Sequence, residues 1–181
     1  MNQVRDAYNV AIALGLRGVQ GTLYEEILHK WFEKNLPSPL TSCYRNVSTS
    51  QLSGKASIGF LNAVNLYWVP STPNFANIDA AWIVWIKQKQ CLHCIQYTID
   101  NTHGFNSTTF EVNFLAEVLK KFPHITEVRI YFVVPSGVTF VHSHDDFEYE
   151  NITCKFEVAP IDVEDDDQIY NSAKVSFSFL A

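Results

Sequence analysis

The run "EVRIYFVVP", residues 127 to 135, constrains the fold of this chain more than any other segment. It is apolar at nearly every position and lacks the alternation of a strand with one wet face. A strand of that kind is buried on both sides, and such strands belong to sheets covered by helices. The neighbouring segments supply the covers. "GTLYEEILHKWFEKNLP" puts Leu23, Ile27, Leu28, Trp31 and Phe32 at helical spacings, and Pro37 with Pro39 closes that helix. Farther on, Phe110, Phe114, Leu115, Val118, Leu119 and Phe122 form a second helical stripe that Pro123 ends. Thr108 with Glu111 three residues later predicts a capping box at its start.

Three β-rich runs lie between the two helices: "VNLYWVP", "NIDAAWIVWI" and "CLHCIQYTI". "KQKQ", residues 87 to 90, reads as the hairpin connection between the last two. "SCYRNVS" reads as a short strand, "QLSGKAS" as a loop, and the residues before the first helix as a short lead-in. After the apolar run, "GVTFV", "ITCKFEV" and "KVSFSFL" are expected to be strands, the last two divided by an acidic loop, "IDVEDDDQ". No repeat or low-complexity linker divides the 181 residues, so one domain is expected. The order helix, strands, helix, buried strand predicts an α/β fold: a mixed β-sheet flanked by helices, with additional C-terminal strands.

Charge and cysteine narrow the function classes. The net charge of −6 is segregated: residues 142 to 170 hold ten Asp or Glu and one Lys, while residues 1 to 141 hold eleven Lys or Arg against nine acids. An acidic total argues mildly against nucleic acid; a nearly neutral body with an acidic C-terminal section argues less. No apolar run reaches the roughly 18 residues of a membrane helix, "VAIALGL" is too short, and no secretion signal is visible. Cys43, Cys91, Cys94 and Cys154 are too few for a disulfide scaffold. Cys91 and Cys94 lack the second pair a zinc site wants, so they read as core thiols. Three Asn-x-Ser/Thr sequons, at Asn46, Asn106 and Asn151, read as chance matches.

One arrangement of polar residues suits phosphodiester hydrolysis by a divalent cation, which needs oxygen ligands converging on one sheet edge. Such a site takes an acid from an N-terminal helix, an Asp from one strand, and an acid-x-Lys pair from the next. Residues i and i+2 of a strand share a face, so a hairpin can bring the Asp and the pair to one ion. Here Asp79 begins one strand, and Gln96 with Thr98 follows on the next. Glu25 shares a helical face with His29. Gln96 stands where an acid is expected, and Thr98 where a lysine is.

The residues that carry this pattern also carry a family resemblance. "RGVQGTLYEEILHKWF" resembles the G-x-x-[FY]-E-x-x-x-H helix opening of the C-terminal domains of Crinkler effectors and retrotransposon hot spot proteins. "YWVPSTPNFANIDAAWI" is similar to their P-x-x-x-N-F-x-x-[IV]-D segment, and "CIQYTIDNTHGF" to their Q-x-T-x-x-x-x-H-x-[IF] segment. The three segments occur in family order over about residues 18 to 140, leaving an acidic extension from 141 to 181. The resemblance implies a restriction-endonuclease-like fold of the PD-(D/E)XK superfamily and a Mg²⁺- or Mn²⁺-dependent nuclease. It assigns Glu25, Asp79 and Gln96 to the metal corner, Thr98 to the lysine slot and His103 to its vicinity. Q-x-T recurs in the family, and it leaves the general base unassigned. Nucleic acid, DNA ahead of RNA, is the implied partner, and the nucleus the implied location. The triphosphatase motif G-x-x-x-x-G-K-[ST], often joined to such domains, is absent from this sequence.

Each residue also has a plainer reading. Glu25 could be a solvated helix residue and Glu26 beside it the ligand, although the motif favours Glu25, which follows Tyr24. Asp79 could cap a strand, Gln96 satisfy a sheet edge, and Thr98 serve only as a β former. His103 divides between a base and a hydrogen-bonding anchor of its turn. Lys87 and Lys89 could touch phosphate or simply be solvated. "VHSHDDF", residues 141 to 147, suggests a metallohydrolase loop, but no histidine follows His144 and a solvated acidic loop is expected. The competing function is a catalytically degenerate binding module of the same fold, an effector or adaptor acting through protein or nucleic-acid contacts; exposed aromatics could form a protein interface, though most are expected in the core.

Overall fold

Two helices open the chain in the computed structural model, which describes residues 2–35, 58, 61, 67–70, 75–86 and 88–177. The first, α1 (Asn2–Ala13), occupies what reads in sequence as a lead-in. Its apolar residues conceal it: Tyr8 and Ala11 are its buried members, whereas Val10 and Ile12 are exposed. Gly15, at φ 67, takes the left-handed conformation that ends a helix, and the chain turns into α2 (Arg17–Asn35). The expected helix is therefore present and begins four residues earlier than "GTLYEE". Pro37, Pro39 and the segments "SCYRNVS" and "QLSGKAS" lie outside the described residues.

The expected hairpin follows as β1 (Ala80–Ile86) and β2 (Lys89–Tyr97), antiparallel from Ala80↔Ile95 to Ile86↔Lys89. Lys89 and Gln90 belong to the strand, and Gln88 at φ 70 makes the turn. Of "VNLYWVP", Trp68 forms a bridge with Ala81 and residues 64 to 66 lie outside the described set. A helix, α3, then crosses to the next strand in three consecutive segments: Ser107–Phe110, a π-helical Glu111–Leu115, and Ala116–Lys121. Its cap is Asn106, whose Oδ1 accepts the Thr109 N–H at 2.8 Å. The Thr108–Glu111 capping box is thus incorrect, because Thr108 already lies inside the helix and the Glu111 N–H bonds the Ser107 and Thr108 carbonyls.

The apolar run is β3 (Ile125–Pro135), parallel to β2, and Val128 and Ile130 through Val134 are completely buried. A short hairpin of β4 (Phe147–Tyr149) and β5 (Ile152–Ile161) turns on Glu150 and Asn151, both at positive φ. β5 runs parallel to β3, giving a five-stranded mixed sheet in the order β1-β2-β3-β5-β4. "GVTFV" is not a strand. Residues 138 to 145 alternate half-buried and exposed because Phe140, His142 and His144 lie on Phe132 and Phe156, and this packing imitates strand periodicity without a ladder.

The chain ends its described part in α4 (Asp166–Ser176), where an acidic loop and a strand were expected. Asp165 caps it through the Gln168 N–H at 2.7 Å, and Asp166 and Asp167 occupy the turn where negative charge favours a helix. The alternation in "KVSFSFL" misleads, since Val175 is 87% exposed and Phe177 is buried at the helix end. The strand expected there is corrected to helix through Ser176, and residues 178 to 181 lie outside the described set.

These elements stack in three layers. One face of the sheet, with Trp82, Ile95, Tyr97, Tyr131 and Val133, buries Tyr24, Ile27, Leu28, Trp31 and Phe32 of α2 and Ile169 and Ala173 of α4. The other, with Ile83, Leu92, Cys94, Val128 and Ile130, buries Phe110, Phe114, Leu115 and Val118 of α3. Arg5 ties α1 to the C-terminal helix through Asp166 and the Val163 carbonyl. Aromatics are nearly all core: among the described residues only Trp85 and Tyr170 are exposed, so an aromatic interface is not formed by them as a group.

Candidate functional site

At the end of the β1–β2 hairpin the ladder runs out one residue before β1 begins. Asp79 occupies that position, next to a short helical turn, Phe75–Asn77, with Ala76 and Asn77 at positive φ. Its N–H reaches the Ile95 carbonyl at 2.7 Å, and its Oδ2 accepts the Tyr97 N–H at 2.8 Å. Asp79 therefore does cap the strand, as its plainer reading holds. The same enclosure makes its charge costly. Burial, then the nearby Glu25 charge, pushes its carboxyl up to about 7, against the opposing pull of the Tyr97 N–H.

Glu25, which the motif favours, and its neighbour Glu26 separate in space. Glu26 pairs with Lys30 one turn on, at 2.6 Å, as a helix-surface residue does. Glu25 faces a cavity of about 270 Å³ between the start of α2 and the end of β2. Its Oε1 lies 3.2 Å from His29 Nε2, and His29 Nδ1 lies 2.7 Å from the Tyr67 hydroxyl. Tyr67 in turn meets the Tyr97 hydroxyl at 2.9 Å. Tyr97 O–H donates to Tyr67, Tyr67 donates to His29, and His29 Nε2–H donates to Glu25. Burial raises both phenols well above their ordinary range, so they remain protonated. Tyr97 thus touches one carboxylate through its N–H and reaches the other through this chain.

Strand alternation governs Gln96. Tyr97 faces α2, so Gln96 faces the opposite side, where it is 4% exposed. Its Nε2 donates to His103 Nε2, which places the His103 proton on Nδ1. Burial lowers the His103 pKa, opposed by Asp100 and aided by His144, and keeps the ring neutral as this bond requires. Gln96 Oε1 is buried and has no hydrogen-bond partner among the described residues. Thr98, one residue past the strand, donates its N–H to Val133 and accepts the Asp100 N–H on Oγ1 at 3.1 Å.

The five predicted site residues therefore divide. Glu25, Thr98 and His103 line one cavity; Asp79 lies close enough to feel Glu25; Gln96 lies behind His103 and does not line it. Of His103's two readings the anchor is realised, because its Nε2 lone pair is taken by Gln96. Thr98 closes its own turn. Lys89 sits at the far end of β2, about 26 Å from Tyr97 at the usual strand rise, and Lys87 lies outside the described residues.

Two other motifs resolve plainly. Cys91 and Cys94 project to opposite faces, which separates them as ligands, and both are buried, like Cys154. "VHSHDDF" is a loop as far as Asp146 with Asp145 and Asp146 exposed, but its histidines are packed: His144 Nε2 accepts the Phe105 N–H at 2.9 Å and His142 lies on Phe132, while Asp146 accepts the Phe156 N–H. Sequence reading missed Arg17, Tyr67, Tyr97 and Asp100. Arg17 and Asp100 both line the cavity and pair across it at 2.6 Å. Arg17 stands inside the quoted helix motif, yet only the fold brings it to the end of β2.

Among the described residues no group of three or more His, Cys, Asp or Glu is placed to hold a metal ion. The donors expected for one are of a different make-up: two carboxylates, Glu25 and Asp79, that repel each other, and an amide oxygen, Gln96 Oε1, that lacks a partner. All three are hard oxygen donors, the type Mg²⁺ and Mn²⁺ take, so the residues fit such an ion in chemistry. No helix among the described residues is long and apolar enough to cross a membrane. No protein-family model, curated protein or solved structure matches the chain.

Proposed function

We propose that the protein is a divalent-metal-dependent nuclease of restriction-endonuclease-like fold, hydrolysing phosphodiester bonds in DNA ahead of RNA. The observation that carries this reading is the enclosed Asp79 carboxyl, raised to about 7 by burial and by Glu25 at the end of a hairpin. Two acids held together against their own repulsion favour a counter-cation. The ordered resemblance to Crinkler and retrotransposon hot spot domains supports the same reading and adds the nucleus as the site of action. Glu25 and Asp79 would hold Mg²⁺ or Mn²⁺, whereas Gln96, the third ligand of the resemblance, faces the other side of the sheet with its amide oxygen buried. A bound ion of this type lowers the pKa of water and offsets charge on a phosphate.

The protein's own contribution is positional. The Tyr97–Tyr67–His29 chain holds Glu25 toward the cavity and keeps a proton on the His29 nitrogen facing it. The Tyr97 N–H fixes one oxygen of Asp79. His103 fixes Gln96 through its amide nitrogen. Among the described residues no other side chain lining the cavity is positioned as a general base, so the attacking water would lose its proton toward Asp79 or Glu25.

A second reading, a binding module of the same fold acting through nucleic acid or a protein partner, is favoured by one observation. Thr98 Oγ1 and His103 Nε2, both expected near the reaction, are engaged in internal hydrogen bonds. The test is cleavage of plasmid and single-stranded DNA with Mg²⁺ or Mn²⁺, alongside calorimetric titration of Mn²⁺. Wild type should cut and bind Mn²⁺, and Asp79→Ala should lose about 10²- to 10³-fold activity while remaining folded. Equal cutting by the variant, or Mn²⁺ binding indifferent to Asp79, would sink the nuclease reading at these residues.

A further inference from the structure

Glu25 and Asp79 account for a cation but add no group that could grip the anionic phosphate it would act on. Thr98 stands where the resemblance places a lysine, and its hydroxyl is engaged with the Asp100 N–H. Among the described residues, Arg17 is the one Lys or Arg lining the cavity. Other cations are committed elsewhere: Lys30 to Glu26, Lys34 to Asp166, and Lys89 at the opposite end of β2.

We propose that Arg17 is the phosphate-binding residue of this cavity, and that Asp100 is the counter-ion that holds its guanidinium when no phosphodiester is bound. The inference rests on the phosphodiester reading above and extends it to the substrate's backbone. Arg17 Nη2 lies 2.6 Å from Asp100 Oδ1 and 3.4 Å from the Ile99 carbonyl, bridging α2 and the turn after β2. The two side chains are 67% and 60% exposed, so solvent screens the pair and an entering anion displaces Asp100 at little cost.

The floor beside the guanidinium is cleared for such an anion. Gly18, the next residue of α2, would meet nothing within 4 Å if it carried a Cβ, and Gly21 would meet only the Ile99 side chain, at 3.7 Å. A planar guanidinium on this open floor can take two phosphate oxygens at once, which a lysine cannot do in the same geometry. Contacts of this kind fix backbone position without reading bases, so the ligand class is the phosphodiester backbone irrespective of sequence. Asp100 then sets the threshold for binding, because a phosphate must compete with it for the same donor.

The test separates binding from cutting. Fluorescence anisotropy of labelled single-stranded and duplex DNA is measured in EDTA for wild type, Arg17→Gln, Arg17→Lys, Asp100→Asn and Lys34→Gln, with circular dichroism as a folding control. Arg17→Gln should weaken binding by about tenfold, the usual loss for one charge-assisted pair, with Arg17→Lys between it and wild type. Asp100→Asn should tighten binding by about two- to fivefold, and Lys34→Gln should change it by less than about twofold. Failure of wild type to bind either DNA, an Arg17→Gln protein that binds as wild type does, or an equal loss from Lys34→Gln overturns the proposal. The expected binding pattern without any cleavage in Mg²⁺ or Mn²⁺ would leave the Arg17 assignment standing and remove the hydrolytic one.

Discussion

The two faces of the sheet treat their polar residues in opposite ways. On the α2 face a hydrogen-bond chain runs from Tyr97 through Tyr67 and His29 to Glu25, and it ends on a carboxylate facing a cavity. On the α3 face the imidazoles of His103 and His144 each accept an N–H, and with His142 they pack on Phe132. The first arrangement delivers an unspent acceptor to solvent, whereas the second spends its acceptors on pinning loops. The difference teaches that residue type alone does not mark a site. Three histidines pack on Phe132 without making a site, whereas on the α2 face His29 positions the acid that matters.

The comparison can be broken most strongly at Asp79. Its folded pKa, about 7, lies above the ordinary 3.8, so its contribution to stability is present below about pH 4 and is lost as pH rises through 7. Asp79→Asn keeps the acceptor for the Tyr97 N–H and removes the buried charge. It should match wild type at pH 3.5 and exceed it by up to about 4 kcal/mol at pH 8, measured by urea unfolding. Millimolar Mn²⁺ should narrow that gap at pH 8 by stabilising wild type alone; no pH dependence in the difference would refute the enclosed-charge account.

Tyr67→Phe comes next. It removes the partner of both the Tyr97 hydroxyl and His29 Nδ1, and each buried orphan costs roughly 1–3 kcal/mol. A loss of about 2–4 kcal/mol in unfolding free energy is expected, together with weaker Mn²⁺ binding as Glu25 loses its support. On the opposite face, His144→Ala deprives one part-buried N–H, that of Phe105, of its acceptor. It should cost about 1 kcal/mol and leave Mn²⁺ binding unchanged in calorimetry. If His144→Ala weakened Mn²⁺ binding as much as Tyr67→Phe, the contrast between the faces would fail. The smallest effect belongs to Glu26→Gln, which loses an exposed pair with Lys30 and should shift stability by less than about 0.5 kcal/mol. An effect on cleavage larger than that of Glu25→Gln would reverse the choice between these neighbours.

How much of this was legible depended on whether a local pattern had one physical cause. "EVRIYFVVP" could be satisfied only by burial on both faces, and the β1–β2 hairpin by strand propensity with a turn between, so both are found where expected. "GVTFV" and "KVSFSFL" alternate for other reasons. In the first, an unpaired segment packs its rings on Phe132 and Phe156; in the second, Phe177 is buried at a helix end while Val175 is 87% exposed. The capping box failed because the cap lies two residues earlier, at Asn106, which takes the Thr109 N–H and leaves Thr108 inside the helix. α1 escaped notice because the exposed Val10 and Ile12 obscure the spacing of Val4, Tyr8 and Ala11 on its buried face.

The sequence by itself determined the order of layers, the both-face burial of the central strand, and the acid, hairpin and Q-x-T succession. These follow from periodicity and propensity, which act over a few neighbouring residues. The tertiary structure alone decided that Glu25 and not Glu26 faces the cavity, that Gln96 turns away from α2, and that Arg17 meets Asp100 from 83 residues away. Such choices depend on where one helix crosses the end of one strand and on which side of the sheet each residue falls. That crossing is set by the packing of Tyr24, Ile27, Leu28, Trp31 and Phe32 on the sheet, a sum of contacts that no short window of sequence contains.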